Sequence, residues 1–406
     1  MAETILTNKR IILGVTGSIA CYKVVDLASK LTQAGALVDV ILTDSAEKFV
    51  SALSFRSVTG RMVYDDMWRM EGHVRHVELG ENADLLVVVP ATAHTMAKLA
   101  QGLADNLLTV TALAARCPIL LAPAMDGGMF EHPSTQNNLK TLLERGAYVA
   151  GPAEGRMASG LIGKGRLLET PELMGHIRLI LGKTGPLSGR SVVVTAGPTQ
   201  EPLDPVRFLS NHSSGKQGIA LAQAALDAGA DVTLITGPVH QPIPVGARQV
   251  AVQTAEQMRD AVLESVDTAD MLLMAAAVAD FRPATRADQK IKKQGAPEEM
   301  SIPLVRNADI LASVKARREM VGRPRLVLGF AAETENVLDY GRDKLIRKGL
   351  DFIAINDVSR DNTGFGVDTN QIVLLSPAGV VAELPLQSKS EIARQIVFHL
   401  VQASGD

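Results

Sequence analysis

Cysteine is almost missing from this chain: Cys21 and Cys117, each in apolar surroundings, are the two in 406 residues. Two thiols so placed exclude a disulfide framework and point to a reducing compartment, so a cytoplasmic location is expected. Aromatic residues make up 3% of the chain, with a single tryptophan, too few for stacking platforms that would hold single-stranded nucleic acid. Neither charge is in excess. Lys and Arg number 41 against 44 Asp and Glu, and the formal net charge of -3 argues against nucleic-acid and membrane-surface partners. No apolar run approaches the roughly 18 residues of a membrane span; the longest, "MLLMAAAVA", is bracketed by Asp270 and Asp280. The start "NKRIILGVTGSIAC" has the ingredients of a leader, but Thr16, Gly17 and Ser18 interrupt it and "YKVVDLASKL" continues as an amphipathic helix. Neither the P-loop pattern G-x-x-x-x-G-K-[ST] nor the dinucleotide fingerprint G-x-G-x-x-G is present.

What is present is a pattern repeated twice. "RIILGVTGS", "IACYKVVDLASKLTQAG" and "ALVDVILT" read as strand, glycine turn, helix and strand, and "RSVVVTAGPT", "GKQGIALAQAALDAG" and "ADVTLIT" read the same way. Each half later places an Asp before a buried strand, in "ADLLVVVPATA" and "ADMLLMAAAVAD". Continuous Val/Leu/Ile strands alternating with helices imply parallel sheets covered on both faces. A chain of 406 residues exceeds what one core supports, and "LGKTGPLSGR" is a Gly/Pro/Ser-rich joint. The expectation is an α/β protein of two doubly wound, Rossmann-like or flavodoxin-like domains in tandem, over residues 1–183 and 188–406.

Ligands of such sheets bind beyond the carboxyl ends of the strands. In the first half three polar loops fall there: "GVTGS", "TDSAEKF" with Thr43 and Ser45, and "PATAHT". A Gly-Ser turn opening a helix offers free N–H groups and a positive dipole end to an anion, so a mononucleotide such as FMN is expected. A histidine in "HVRHVELGENAD" is placed near a strand entry, and "GRMASGLIGKGRL" reads as a Gly-rich loop without periodicity, more a lid than scaffold. In the second half, "SNHSSGKQG" opens a helix as an anion seat, with Arg207 just upstream able to pair with a carboxylate or phosphate.

"GVTGSIACYK", "HVEL", "PATAHTMAKLAQGLADNLLT", "PAMDGGM" and "GRMASGLIGKGRL" resemble the flavin-dependent cysteine decarboxylases. "VTAGPTQEPLDPVRFLSNHSSGKQG", "AAAVADFRP", "KIKK", "RNADIL", "GFAAET" and "FIAINDV" resemble the phosphopantothenate–cysteine ligases. Together, in this order, they resemble the fused decarboxylase/ligase family of coenzyme A biosynthesis over nearly the whole chain. The resemblance implies that cysteine is joined to 4′-phosphopantothenate with CTP through an acyl-cytidylate. It further implies that FMN then oxidises the cysteinyl thiol to a thioaldehyde, which lets CO₂ leave before the electrons return. By the same resemblance His76 is the active-site histidine, and Gly17, Ser18, Thr43, Ser45, Thr92, His94, Thr95 and Ala124 contact FMN. Met125, Asp126 and Met129 hold the substrate carboxylate. In the ligase half, Asn211 and Lys290 are implied to be catalytic. Arg207, Ser213, Gly215, Met274, Ala276, Asp280, Ala308, Asp309, Ile310, Leu311, Phe330, Lys344 and Lys348 are implied to bind nucleotide or substrate. Mg²⁺ is implied with no ligands assigned, and so is a homo-oligomer, a dodecamer in the fused family.

Three residues depart from the family pattern. Asp126 replaces an Asn, His94 replaces the Asn of P-A-T-A-N-T, and Ser159 replaces the lid cysteine that protonates the enethiolate. A thiol with a pKa of about 8.5 is a much better acid than a serine hydroxyl, and a second carboxylate would repel the substrate's own unless screened. Either the lid chemistry is done differently here, or the decarboxylase half is impaired and mainly structural beside an active ligase. A flavoprotein regulatory subunit is a further alternative, against which the complete set of ligase motifs stands.

Overall fold

Strands buried on both faces are apolar at every position, and "IILGV" and "LLVVVPA" fold accordingly. The computed structural model describes residues 4–68, 75–157, 160–292, 300–333, 337–357 and 366–405. The chain divides into two compact units, Met1–Leu181 and Gly182–Asp406.

The first unit contains β1 (Arg10–Val15), β2 (Leu37–Leu42), β3 (Val63–Tyr64), β4 (Leu85–Ala91), β5 (Ile119–Pro123) and β6 (Tyr148–Val149) in one sheet of order β3-β2-β1-β4-β5-β6. Every neighbouring pair is parallel. Alternate residues serve opposite cores: Ile11, Leu13, Val38, Val40, Leu85 and Val87 pack on one face, and Ile12, Ile41, Leu86 and Val88 on the other. The strand order reverses between β1 and β4, so the crevice such sheets use for ligands opens there. The segment read as an aperiodic lid is instead an antiparallel hairpin of β7 (Ala153–Arg156) and β8 (Ile162–Arg166). Its short, glycine-rich, largely exposed strands have no apolar alternation, which is why the sequence does not announce them.

The second unit repeats the plan. β9 (Ser191–Ala196) leads through a small pair, β10 (Gln200–Pro202) with β11 (Phe208–Ser210), to β12 (Asp231–Thr236), β13 (Arg248–Ala251) and β14 (Met271–Met274). A second small pair, β15 (Phe281–Pro283) with β16 (Leu304–Arg306), precedes β17 (Leu326–Glu333), β18 (Phe352–Asp357), β19 (Thr369–Ser376) and β20 (Gly379–Ser388). The sheet order is β13-β12-β9-β14-β17-β18-β19-β20. Its first six strands are parallel in the same third-second-first-fourth-fifth-sixth arrangement as the first unit. The all-parallel expectation needs correction at the far edge, where β19 and β20 are antiparallel. Only Pro377 and Ala378 join these two strands, too short a link for a parallel crossover.

The repeated Asp before a buried strand has a structural cause. Asp84 Oδ2 accepts the N–H of Arg10 at 2.8 Å, and Asp270 Oδ2 accepts that of Ser191 at 3.0 Å. Each aspartate thus ties the start of its unit's fourth sheet strand to the start of the first. Asp351 does the same for Val327 at 2.7 Å, one strand further along the second sheet. Among the described residues no helix is long and apolar enough to cross a membrane.

Candidate functional site

A cleft of about 650 Å³ lies at the carboxyl edge of the first sheet. Gly17 and Ser18 line it from the loop after β1, Thr43 and Ser45 from the loop after β2, Thr92, His94 and Thr95 from that after β4, and Ala124, Met125 and Met129 from that after β5. These loops are close-packed. A Cβ on Gly17 would stand 2.4 Å from Ser45 Cβ, so only glycine fits. Thr16 Oγ1 donates to Pro90 O and accepts the N–H of Thr92 at 3.2 Å, which locks the β1 and β4 exits together. Thr92 Oγ1 caps the helix Ala93–Gln101 by accepting from Thr95 N at 3.3 Å. The helix Cys21–Gln33 has no side-chain cap. The sequence reading missed Lys98, Asp105 and Asn106, which also line this cleft. Lys98 Nζ lies 2.7 Å from Asp105 Oδ2, and this hydrogen bond lowers the carboxyl pKa below its ordinary value.

A second cleft of about 640 Å³ shares Ser18, Ala124 and Met125 with the first and continues to Lys23, Asp126, Arg156 and Arg166. The hairpin is fastened to it: Met125 N donates to Gly165 O at 2.9 Å. Asp126 N-caps the short helix Gly127–Glu131, Oδ1 accepting from Gly128 N at 3.1 Å. Asp and Asn cap helices about equally well, so the departure from the family's Asn keeps this role. Ser159 lies outside the described residues. His76 belongs to the helix Arg75–Asn82, not to a strand entry; the polar run "RHVELGEN" follows a helical rather than an alternating period. It is half-buried and lines neither cleft.

The second unit has its own cleft, about 610 Å³, at the carboxyl edge of β14 and β17. Met274, Ala276, Asp280, Ala308, Asp309, Ile310, Leu311, Phe330, Lys344 and Lys348 all line it, and so do Arg306, Asn307 and Arg347, which the sequence reading missed. Ala276 is fixed by donating its N–H to Thr195 Oγ1 at 3.1 Å. Asp309 caps the helix Ile310–Val321, accepting from Ala312 N at 3.0 Å, and contacts Lys348 Nζ. Burial lowers the Lys348 pKa, and Asp280 partly offsets this. Lys344 Nζ donates to Phe330 O at 2.8 Å. Four cations and a helix N-terminus at one cleft favour a polyanion.

Asn211, Arg207, Ser213, Gly215 and Lys290 do not line this cleft. Asn211 Nδ2 donates to the carbonyl of Ala277, between the lining residues Ala276 and Val278, at 3.1 Å. Gly215 caps the helix Lys216–Asp227 at φ 77°, with no side-chain cap bond. A Cβ there would stand 2.5 Å from Val239. Ser213 Oγ accepts from Gly215 N at 3.3 Å. Arg207 already has a carboxylate, one of the chain's own: Nη2 lies 2.6 Å from Asp204 Oδ2. The sequence signal was present in "DPVR", three residues apart, but was read as pointing outward to a ligand. Lys290 is exposed, next to Ile291, on a segment held to that Asp204–Arg207 turn.

Two doubly wound units, each with a polar cleft at its sheet's carboxyl edge, define a tandem α/β protein. The family profile described as Flavoprotein matches residues 2–181, and that described as DNA/pantothenate metabolism flavoprotein C-terminal domain matches residues 187–403. The chain is 44% identical over 398 residues to the coenzyme A biosynthesis bifunctional protein CoaBC of Vibrio cholerae, with 98% of each covered. It is 46% identical over 401 residues to the protein of that name from Mycolicibacterium smegmatis, with 96% of each covered. The solved C-terminal domain of a protein of the same name is 36% identical, covers 54% of this chain and 98% of its own, and superposes with a TM-score of 0.46. The chain belongs to the family of bifunctional coenzyme A biosynthesis proteins, with a flavoprotein domain ahead of a pantothenate-metabolism domain.

Proposed function

We propose that the second unit joins cysteine to 4′-phosphopantothenate with CTP, and that the first unit decarboxylates the product with FMN to give 4′-phosphopantetheine. The observation that carries this reading is that many of the motif residues, scattered along the chain, come together in clefts at each sheet's carboxyl edge.

The first cleft fits FMN by its donor set. Among the described residues, the N–H groups of Ser18 and Ile19 bond to no protein atom, and they stand at an uncapped helix start beside Thr43, Ser45 and Thr95. Bound there, the flavin supplies the reversible two-electron chemistry that decarboxylation of a cysteinyl group requires. The protein's part is to seat it on Gly17–Ser18, to hold the substrate against the Met125–Asp126 turn under the hairpin, and to bring up His76. Ser159 takes the place of the usual lid acid.

In the ligase cleft, Lys344, Arg347, Lys348 and the Asp309-capped helix hold the nucleotide. The pantothenate carboxylate attacks the α-phosphate and pyrophosphate leaves; cysteine's amine then displaces CMP. Lys290 offsets the charge developing on the phosphate, and Asn211 orients the acyl-cytidylate. Asp280 and Asp309 are the cleft's carboxylates, and no group of three acidic, His or Cys side chains forms a cation site among the described residues. That fits Mg²⁺ carried mainly by the nucleotide phosphates, with one or two protein carboxylates. A homo-oligomer completes the reading.

The test is direct. Purified protein is expected to carry a flavin released by denaturation, to form phosphopantothenoylcysteine only with CTP and Mg²⁺, and to evolve CO₂ from it. Ligation without CO₂ release from flavin-loaded protein would establish the alternative, in which the first unit is mainly structural.

A further inference from the structure

One buried carboxylate in the second unit lines no cleft yet gathers an unusual number of donors. Asp204 is 2% exposed. Its Oδ1 accepts the N–H groups of Val206 and Arg207, each at 2.8 Å, and its Oδ2 accepts Arg207 Nε at 2.9 Å and Nη2 at 2.6 Å. Oδ2 also accepts the N–H of Ile291 at 3.2 Å, 87 residues away in sequence. Arg207 Nη2 closes the grip by donating to Ile291 O at 3.1 Å, and Ala287 N donates to Leu203 O at 3.0 Å. Both the N–H and the C=O of Ile291, the residue after Lys290, are therefore held. From the same turn the chain runs through β11 to Ser210, whose Oγ donates to Thr199 O at 2.7 Å, and then to Asn211, bonded to Ala277 O beside the cleft. The turn thus joins the segment bearing Lys290 to the one bearing Asn211. The flanking Arg207 guanidinium and main-chain N–H groups hold the Asp204 carboxyl far below its ordinary pKa.

We propose that Asp204 is a positioning residue for amide formation, acting through the Ile291 peptide to fix Lys290 relative to Asn211. This rests on the reading that Lys290 serves the ligase. Asn cannot substitute for Asp204, because every neighbour donates: an amide nitrogen would face the guanidinium or the Ile291 N–H and offer no acceptor. Glu would add a methylene where the side chain has no exposed surface.

The test uses the full chain and follows pyrophosphate release, amide formation, acyl-cytidylate accumulation and thermal unfolding. Asp204→Asn is expected to slow amide formation by about tenfold or more while KM for CTP and pyrophosphate release move by less than about twofold. The acyl-cytidylate should then accumulate. Because the residue acts through Lys290, the double variant Asp204→Asn/Lys290→Gln should be no slower than Lys290→Gln alone. Asp204→Asn with normal amide formation, an equal loss of pyrophosphate release, or losses that multiply in the double variant would overturn the proposal. Lys290→Gln ligating normally would instead overturn the underlying reading of Lys290, and this proposal with it. Where Asp204→Asn does not fold, Ile291→Pro removes the N–H that Asp204 accepts while leaving Asp204 and Arg207 in place. It should give the same accumulation, and normal amide formation in that variant counts against the proposal.

Discussion

Asp126 puts a negative charge where the substrate's carboxylate is expected, and its local partners explain how the chain tolerates it. Its Oδ1 accepts the Gly128 N–H at 3.1 Å at the start of the helix Gly127–Glu131, so the charge faces a positive helix end. Asp126→Asn should therefore leave stability within about 0.5 kcal/mol, whereas Asp126→Ala should lose about 1 kcal/mol with the cap. Removing the charge should also lower KM for phosphopantothenoylcysteine; a raised KM would show that the carboxylate assists binding. Gly17 is constrained by space instead. Gly17→Ala brings a Cβ to 2.4 Å from Ser45 Cβ. It should cost about 1–3 kcal/mol by overpacking and reduce flavin content, as measured by thermal unfolding and by absorbance of the purified protein.

Elements were legible in proportion to their burial. β4 and β14 are apolar throughout, and β1 and β9 nearly so, because helices cover both faces, and their loops therefore announced the clefts. The β7–β8 hairpin and the β19–β20 edge are half-exposed and rich in glycine or alternating polar residues, so composition alone gave no strand there. His76 was misplaced because a polar eight-residue helix carries little apolar period. The pairing of Arg207 with Asp204, in the same motif, went unread because either residue could as well have faced a ligand. The hairpin's attachment is testable at Gly165, where a Cβ would stand 2.2 Å from Met125 O. Gly165→Ala should lift the hairpin from the Asp126 turn and slow decarboxylation while flavin content stays normal; lost flavin would mean that the hairpin holds the cofactor. The aspartate ties between strands predict a pH effect. Burial works to raise the Asp270 pKa, but the Ser191 N–H and Arg323 bring it below its ordinary value. A carboxyl held low in the folded state contributes stability above its unfolded pKa and loses that contribution as pH falls through the folded value. Denaturant unfolding of Asp270→Asn should accordingly show weaker dependence on pH below about 4 than the parent.

At the scale of the whole molecule, His76 stands apart from the cleft proposed for decarboxylation. An imidazole that acts on substrate must come within hydrogen-bond reach of it, and His76 lines neither cleft of its own unit. In a homo-oligomer the copies repeat one surface around a symmetry axis, so a helix flanking the cleft of one copy can complete the cleft of the next. Exposed apolar side chains on this unit, Tyr22 and Leu53 at 63% and 70% exposure, suit such a contact. The prediction is intersubunit complementation. Gly17→Val cannot seat the flavin loops, and His76→Asn lacks the imidazole, so each alone should be inactive in CO₂ release. Co-expressed with different tags and purified as mixed oligomers, they should recover about a quarter of the parental rate, because random assembly pairs an intact cleft with an intact histidine at that frequency. Mixed oligomers without recovered activity would mean that each histidine serves its own chain, and that the cleft must close onto the helix Arg75–Asn82 for the reaction to occur.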